Sequence, residues 1–252
     1  MITTRCFPCI LTIVINKEKS MINIRRSDER GKANYGWLDT NYTFSFSDYY
    51  DPRFMGFRDL RVINEDIIEP AQGFPEHGHR DMEIVTYMIS GELSHRDSMG
   101  NGEMIRPNEV QRMTAGTGIL HSEYSSPTDK THLLQIWILP EKRNLTPSYE
   151  QKIFAPEDKQ GKLRLVASRG GDDGSVTINQ DVSIYASILK SGNEILHNLA
   201  DVRHAWIQLI SGSVEVNGKT LDAGDGVAIS EETALKIKSR EDKTEFLLFD
   251  LK

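Results

Sequence analysis

Met88-Ile89-Ser90-Gly91-Glu92-Leu93 returns as Leu209-Ile210-Ser211-Gly212-Ser213-Val214, an offset of 121 from residue 88 to residue 209. The correspondence continues in the same order. Arg106-Pro107-Asn108-Glu109-Val110 parallels Asp222-Ala223-Gly224-Asp225-Gly226-Val227, and Leu133-Leu134-Gln135-Ile136-Trp137 parallels Phe246-Leu247-Leu248-Phe249-Asp250. The offset shrinks along the chain because the second copy has shorter connections, chiefly Asn217-Gly218 in place of the stretch from Asp97 to Asn101-Gly102. Asn-Gly between two strand-like runs predicts a hairpin. Conserved order with variable loops is the mark of a duplicated β-domain.

Outward from the repeat, the chain from Met21 onward is a series of short runs rich in Val, Ile, Thr, Phe and Tyr, such as Glu83-Ile84-Val85-Thr86-Tyr87-Met88-Ile89. Turn residues separate them and long helical periodicity is largely missing, so the class is all-β and the two halves predict two stacked β-barrels. The expected division is an N-terminal barrel over 21–140, a linker over 141–162 marked by Pro147, Pro156 and many charges, and a C-terminal barrel over 163–252. Residues 1–20 differ from the rest, with Arg5 before the apolar Cys9-Ile10-Leu11-Thr12-Ile13-Val14-Ile15. No small-x-small cleavage site follows, so a leader ahead of a true start at Met21 is expected, not a secretory signal. Cys6 and Cys9 have C-x-x-C spacing, but no βαβ context follows to support a redox motif.

Composition narrows the function classes. The 252 residues carry 30 Lys and Arg against 37 Asp and Glu, a net charge of -7. No basic run could track phosphates, so no direct nucleic-acid partner is expected. No apolar run approaches the ~20 residues of a membrane-spanning helix. With both cysteines in the first ten residues, the body has no disulfide framework, which points to a cytoplasmic setting. A monomer is expected.

The seven histidines stand at 77, 79, 95, 121, 132, 197 and 204. His77-Gly78-His79 alone is a weak signal. It gains weight from His121-Ser122-Glu123 in the same half, because residues i and i+2 of a strand share a face. Two such pairs on neighbouring strands facing into a barrel bring together three imidazoles and a carboxylate, a mononuclear metal site of nitrogen and oxygen donors without sulfur. Glu83 is expected either to support the ligands from behind or to be a structural partner, not to join the ligands. His95 and His132 are expected to be surface or strand-packing residues, and His197 and His204 structural. The second half offers a control: the offset of 121 puts Asn198 and Ala200 where His77 and His79 stand, so one barrel keeps a metal and the other does not. Gly116 and Gly118 are expected to form a tight turn into the His121 strand, and Asp172-Asp173-Gly174 a surface turn.

Four stretches, Phe74-Pro75-Glu76-His77-Gly78-His79-Arg80-Asp81-Met82-Glu83, Ser94-His95-Arg96-Asp97-Ser98-Met99-Gly100-Asn101-Gly102, Met113 through Glu123, and Leu134-Gln135-Ile136-Trp137, carry a resemblance: the chain resembles the pirin family of bicupin metalloproteins. Gly36-Trp37-Leu38-Asp39-Thr40 and Tyr50-Asp51-Pro52-Arg53 extend it upstream. It is dense to residue 140 and thinner beyond. Two departures stand out: Asn108-Glu109 replaces a Gly-Asp turn, and residues 1–20 have no counterpart.

The resemblance implies tandem cupin (jelly-roll) barrels with a metal in the N-terminal one, held by His77, His79, His121 and Glu123. Fe(II) is the metal expected first, with Mn, Co, Ni, Cu or Zn open. Some members open the flavonol quercetin with dioxygen, releasing carbon monoxide, and a eukaryotic branch acts as an iron-dependent partner of transcription factors. The expected activity is therefore a quercetin 2,3-dioxygenase-like oxidoreductase acting on a flavonol, or a related enol or catechol, with O2. Glu123 would act as the catalytic base. The alternative is a redox-sensing or regulatory binding protein without turnover.

Overall fold

The computed structural model of the protein describes residues 21–252; the expected leader over 1–20, with Cys6 and Cys9, lies outside the described residues. The internal repeat is built into the backbone. Gly91 and Gly212 sit in equivalent turns with φ of 77° and 75°, a left-handed conformation that glycine adopts without steric cost. Asn217 and Gly218 both have positive φ, 45° and 79°, and join Ser213–Val216 to Lys219–Asp222. That is the expected hairpin, closed by the mirror-image turn that matches the twist of its strands.

Each half is a sandwich of a seven-stranded and a four-stranded sheet. In the first half the large sheet runs Ser148–Ile153, Glu109–Thr114, Glu83–Ser90, Thr131–Ile138, Leu60–Ile68, Leu38–Tyr42 and Gly31–Asn34 across its width. Facing it is a sheet of Gly73–His79, Ile119–Ser125, Leu93–Asp97 and Gly102–Ile105. Leu93 and Ile105 pack between the layers with Leu38, Ile68, Met88 and Leu133 at one end. Ile119 packs with Ile84 and Met113 at the other. The interior between these two apolar plugs is polar, and it is there that the histidines lie.

The two seven-stranded sheets also bury their outer faces. Val85, Tyr87, Leu134 and Ile136 of the first half share one core with Val182, Ile184, Leu247 and Phe249 of the second. A strand covered on both faces shows no alternation, which explains why Glu83–Ser90 and Thr131–Ile138 are nearly continuous apolar runs.

The boundaries are less simple than expected. Ser148–Ile153, placed in the linker by the sequence, is a strand paired with Glu109–Thr114. It covers an edge that would otherwise offer unpaired backbone groups. At the other end, Met21–Arg25 pairs with Gly226–Ser230 in the second half's sheet. Prolines and charge suggested a linker, but Pro147 and Pro156 lie outside Ser148–Ile153, and an edge strand tolerates charged side chains such as Glu150 and Lys152. Among the described residues, no helix is long and apolar enough to cross a membrane.

Candidate metal centre

The four-stranded sheet of the first half positions the chemistry through its register. His121 pairs with His77 on one side and Asp97 on the other, while Glu123 pairs with His95. Because i and i+2 share a face, His77 and His79, His121 and Glu123, and His95 and Asp97 all belong to the inner face of three adjacent strands. Between His121 and Glu123 the pairing with Gly73–His79 slips, so that Glu123 lies opposite Phe74. This places Pro75 and Glu76 in a bulge, where a residue without a backbone N–H does not interrupt the ladder.

The imidazoles converge. Ring centroids are 4.4 Å apart for His77 and His121, and 4.8 Å for both His77–His79 and His79–His121. The donor atoms of His77, His79 and His121 lie within 4.8 Å of one another, as do those of His95, His121 and Glu123. His77 Nδ1 donates to the Pro75 carbonyl at 2.8 Å. In the neutral ring this leaves the Nε2 lone pair free, and that atom is 3.0 Å from His121 Nε2. Holding one ring nitrogen so that the other can bind is how protein scaffolds orient metal-ligating histidines.

Electrostatics favour the ligand-competent forms. Burial, with the neighbouring histidines, depresses His79 to about 4 and His121 to about 2, so both rings are neutral near pH 7. Burial, reinforced by the charge of Asp66, pushes Glu123 up to about 8. His79 Nε2, Glu123 Oε1 and the Nδ1 atoms of His95 and His121 are buried without a hydrogen-bond partner among the described residues. Each such atom costs roughly 1–3 kcal/mol if left unmatched. A divalent cation bound by neutral imidazoles and a carboxylate satisfies such a set and reverses the pressure on Glu123. The donor set thus fits a first-row transition metal.

Two side chains hold Glu123 from the opposite sheet. Gln135 Nε2 donates to Glu123 Oε2 at 3.4 Å, and Trp137 Nε1 donates to Gln135 Oε1 at 3.3 Å. They line a cavity of about 290 Å³ together with Phe46, Asn64, Asp66, Phe74, His77, His79 and Glu123. Aromatic walls and a polar floor make it suitable for a flat, oxygen-bearing ligand.

His95, expected at the surface or in strand packing, is fully buried. It packs between His121 and Tyr149, at ring distances of 5.3 Å and 5.0 Å. Its Nε2 is 3.2 Å from Asp97 Oδ2, and Asp97 is itself fixed by the backbone N–H groups of Met99 and Asn101. The signal was present as another i, i+2 pair, His95-x-Asp97, but which strand lies beside His121 is decided by the sheet. Glu83 faces the other way. It accepts from Thr114 Oγ1 and the Asn179 backbone N–H, both at 3.1 Å, and so ties the first half to the second. His132 is 3.0 Å from Glu65 Oε1, and His197 is 2.9 Å from Asp250 Oδ2. His204 is 2.8 Å from Ser230 Oγ, away from the cluster. The second half fills the equivalent interior with Ile207, Leu209, Val214, Val227, Leu235 and Ile237.

Residues 23–138 match the family model described as Pirin, and residues 165–251 match that of the Quercetinase C-terminal cupin domain. The chain is similar to the quercetin 2,3-dioxygenase of Escherichia coli (strain K12), 50% identical over 232 residues that make up 92% of this chain and 99% of that protein. A pirin-like protein of Caulobacter vibrioides is 39% identical over 231 residues, 91% of this chain and 99% of its own length. Among solved structures, a bacterial pirin from Escherichia coli in complex with nickel(II) superposes with a TM-score of 0.88 at 49% identity, covering 92% of this chain and 99% of that one.

Proposed function

This chain belongs to the pirin family, and from that premise we propose that it is a metal-dependent dioxygenase that opens a flavonol such as quercetin. The overall reaction consumes one O2 and yields a ring-opened depside and carbon monoxide, which accounts for every atom. The reading rests on one observation: the donor atoms of His77, His79 and His121 cluster, those of His121 and the buried Glu123 lie close together, and His77, His79 and Glu123 line an aromatic-walled cavity of about 290 Å³. Relatives named for this activity lend it support.

In this reading His77, His79, His121 and Glu123 hold the metal, Fe(II) first among the candidates. When bound, the metal supplies Lewis acidity toward the 3-hydroxyl and 4-carbonyl oxygens of a flavonol. Glu123 takes the 3-hydroxyl proton on Oε1, the oxygen without a hydrogen-bond partner among the described residues, while Gln135 steadies Oε2. Phe46, Phe74 and Trp137 hold the ring system flat and keep water from the reacting face.

The test is dioxygen uptake on adding quercetin to protein loaded separately with Fe(II), Mn(II), Co(II), Ni(II) or Cu(II). Saturable uptake that disappears in a His121→Ala, Glu123→Ala double variant supports the assignment. Glu123→Gln is expected to retain much of the metal and to lose turnover at least 100-fold, on the scale of a lost general base, roughly 10²–10⁴. Full activity in that variant sinks the role given to Glu123. Stoichiometric metal binding with no uptake for any metal removes the dioxygenase reading.

A further inference from the structure

Behind the imidazoles lies a second buried pair. The side chains of His95 and Asp97 are fully shielded from solvent, and neither belongs to the ligand set of His77, His79, His121 and Glu123. Asp97 is held as an acceptor on both oxygens. Its Oδ1 accepts the backbone N–H groups of Met99 and Asn101 at 2.9 Å and 3.1 Å, and its Oδ2 accepts Asn101 Nδ2 at 2.8 Å. The loop that delivers these donors turns at Gly100, where φ is 94°, a conformation open to glycine. An ionised carboxylate can only accept, so the ring nitrogen facing it, His95 Nε2 at 3.2 Å, carries the proton. In the neutral ring the other nitrogen, Nδ1, then offers a lone pair. Tyr149 has its ring 5.0 Å from that of His95 and its hydroxyl tied to Gln151 Oε1 at 2.6 Å, which keeps the imidazole from swinging away.

His121 has the complementary need. Its Nε2 lies 3.0 Å from His77 Nε2, on the side where the two rings would share a metal, so the proton of the neutral ring belongs on Nδ1. A buried N–H calls for an acceptor. His121 Nδ1 and His95 Nδ1 both lack a hydrogen-bond partner among the described residues. The two ring centroids are 5.3 Å apart, a separation at which nitrogens turned toward one another come within hydrogen-bond reach. One ring holds a donor and the other an acceptor.

The internal repeat supplies a control. Val216 pairs with Ile237 in the second half as His95 pairs with Glu123 in the first, and both Val216 and Ile237 belong to the apolar core. The stretch from Asp97 to Gly102 is cut there to Asn217-Gly218. The half whose interior is apolar thus lacks counterparts of His95, of Asp97 and of the loop that cradles them.

We propose that His95 is a positioning residue for the metal centre: locked by Asp97 in the tautomer that leaves Nδ1 bare, it accepts the Nδ1–H of His121 and keeps His121 Nε2 directed at the metal. The inference rests on the reading of His121 as a ligand and is independent of the substrate.

The experiment is calorimetric titration of the full chain with Co(II), with the visible absorption of the bound ion recorded alongside, for wild type, Asp97→Asn, His95→Leu and His95→Gln. Asp97→Asn is near-isosteric and keeps an oxygen for the Met99 and Asn101 N–H groups. Its amide N–H faces His95 Nε2, however, and drives the ring proton to Nδ1, where it opposes that of His121. Asp97→Asn and His95→Leu are each expected to weaken Co(II) binding about 10- to 100-fold, the scale on which partners of metal-bound histidines act, and His95→Gln, whose amide oxygen can accept, about threefold or less. The absorption bands should shift in the first two variants and stay in place in the third. The double variant His95→Leu, Asp97→Asn should bind no more weakly than His95→Leu alone, because the two residues act as a unit. Asp97→Asn decides the matter if His95→Leu fails to fold. Wild-type affinity and bands in Asp97→Asn overturn the proposal and leave His95 a packing residue. Equal losses in His95→Gln and His95→Leu overturn it too, because the acceptor then has no effect. A wild type that takes up no Co(II) removes the ligand reading itself and the proposal with it. Variant-sensitive binding without dioxygen uptake on quercetin leaves the positioning role standing and removes the dioxygenase reading alone.

Discussion

His121 and Glu123 carry the same logic as His77 and His79: two residues apart on a strand, both side chains project inward. That spacing is legible without any structure. Neighbouring residues at comparable spacing are not, because their meaning depends on which strand they face. Asn64 and Asp66 alternate inward on an otherwise apolar strand, and Gln135 completes a polar row beside them; His95 and Asp97 do so on a third strand. Glu65 shows the opposite face at work. Burial alone would raise its carboxyl, but His132 and Arg30 outweigh it and hold Glu65 at about 2, against an ordinary value of 4.5. A carboxyl depressed in the folded state contributes stability above its unfolded value and loses it as the pH falls through the folded one. Acid unfolding should therefore steepen between pH 4.5 and 2, with Glu65 responsible for on the order of 3 kcal/mol. Equilibrium denaturation of Glu65→Gln at pH 7 and pH 3 checks this. The variant should be less stable at pH 7, with a deficit that shrinks to roughly half or less at pH 3 and nearly vanishes only near pH 2; equal deficits at pH 7 and pH 3 would remove the linkage.

At the scale of the element, the site depends on how closely two strands approach. A Cβ placed on Gly73 would lie 2.1 Å from the Glu123 carbonyl oxygen and 2.6 Å from Tyr124 Cα. Both are backbone atoms of the strand that bears His121 and Glu123, so relief requires moving that strand. The bulge at Pro75 and Glu76 begins two residues later, and with Gly73 it sets where Glu123 lies relative to His77. Gly73→Ala should cost roughly 1–3 kcal/mol, as overpacking usually does. It should weaken metal binding measurably, although residue 73 is no candidate ligand. Calorimetric metal titration reads this directly, and unchanged affinity would show that the strand pair absorbs the extra methyl group. Strand content and hairpins were legible here because Asn-Gly and alternating runs are local signals. Bulge position and edge pairing were not. Ser148–Ile153 is a strand because an open edge at Glu109–Thr114 lies within reach, and nothing in its own residues announces that edge.

For the whole molecule, the two sandwiches are bonded to one another rather than merely tethered. Lys159, almost wholly buried, donates from Nζ to Tyr87 Oη at 2.9 Å and to Asn108 Oδ1 and Glu245 Oε1 at 3.2 Å. It thereby joins the first half, the connecting segment and the second half. Asn108, which stands where a Gly-Asp turn was expected, has a φ of 70° and supplies one of those acceptors. Removing one member of a buried ion pair strands the other, so Lys159→Met should lower unfolding free energy by about 3 kcal/mol. Denaturant titration should show one transition at lower midpoint, with metal content unchanged in native buffer. An unshifted midpoint would mean that Tyr87 and Glu245 suffice. From the sequence alone came the all-β class, the duplication and the two-residue spacing that pairs His77 with His79 and His121 with Glu123 in the first half, because each is written in short-range period, order and spacing. Only the tertiary structure decided that Met21–Arg25 joins the second half's sheet, that Glu83 binds the second half, that His95 and Asp97 stand behind the imidazoles and that Thr40, Asn64 and Asp66 face the same cavity. Those facts depend on which strands become neighbours, and pairing across a hundred residues is set by the burial of whole faces, which no local stretch of sequence encodes.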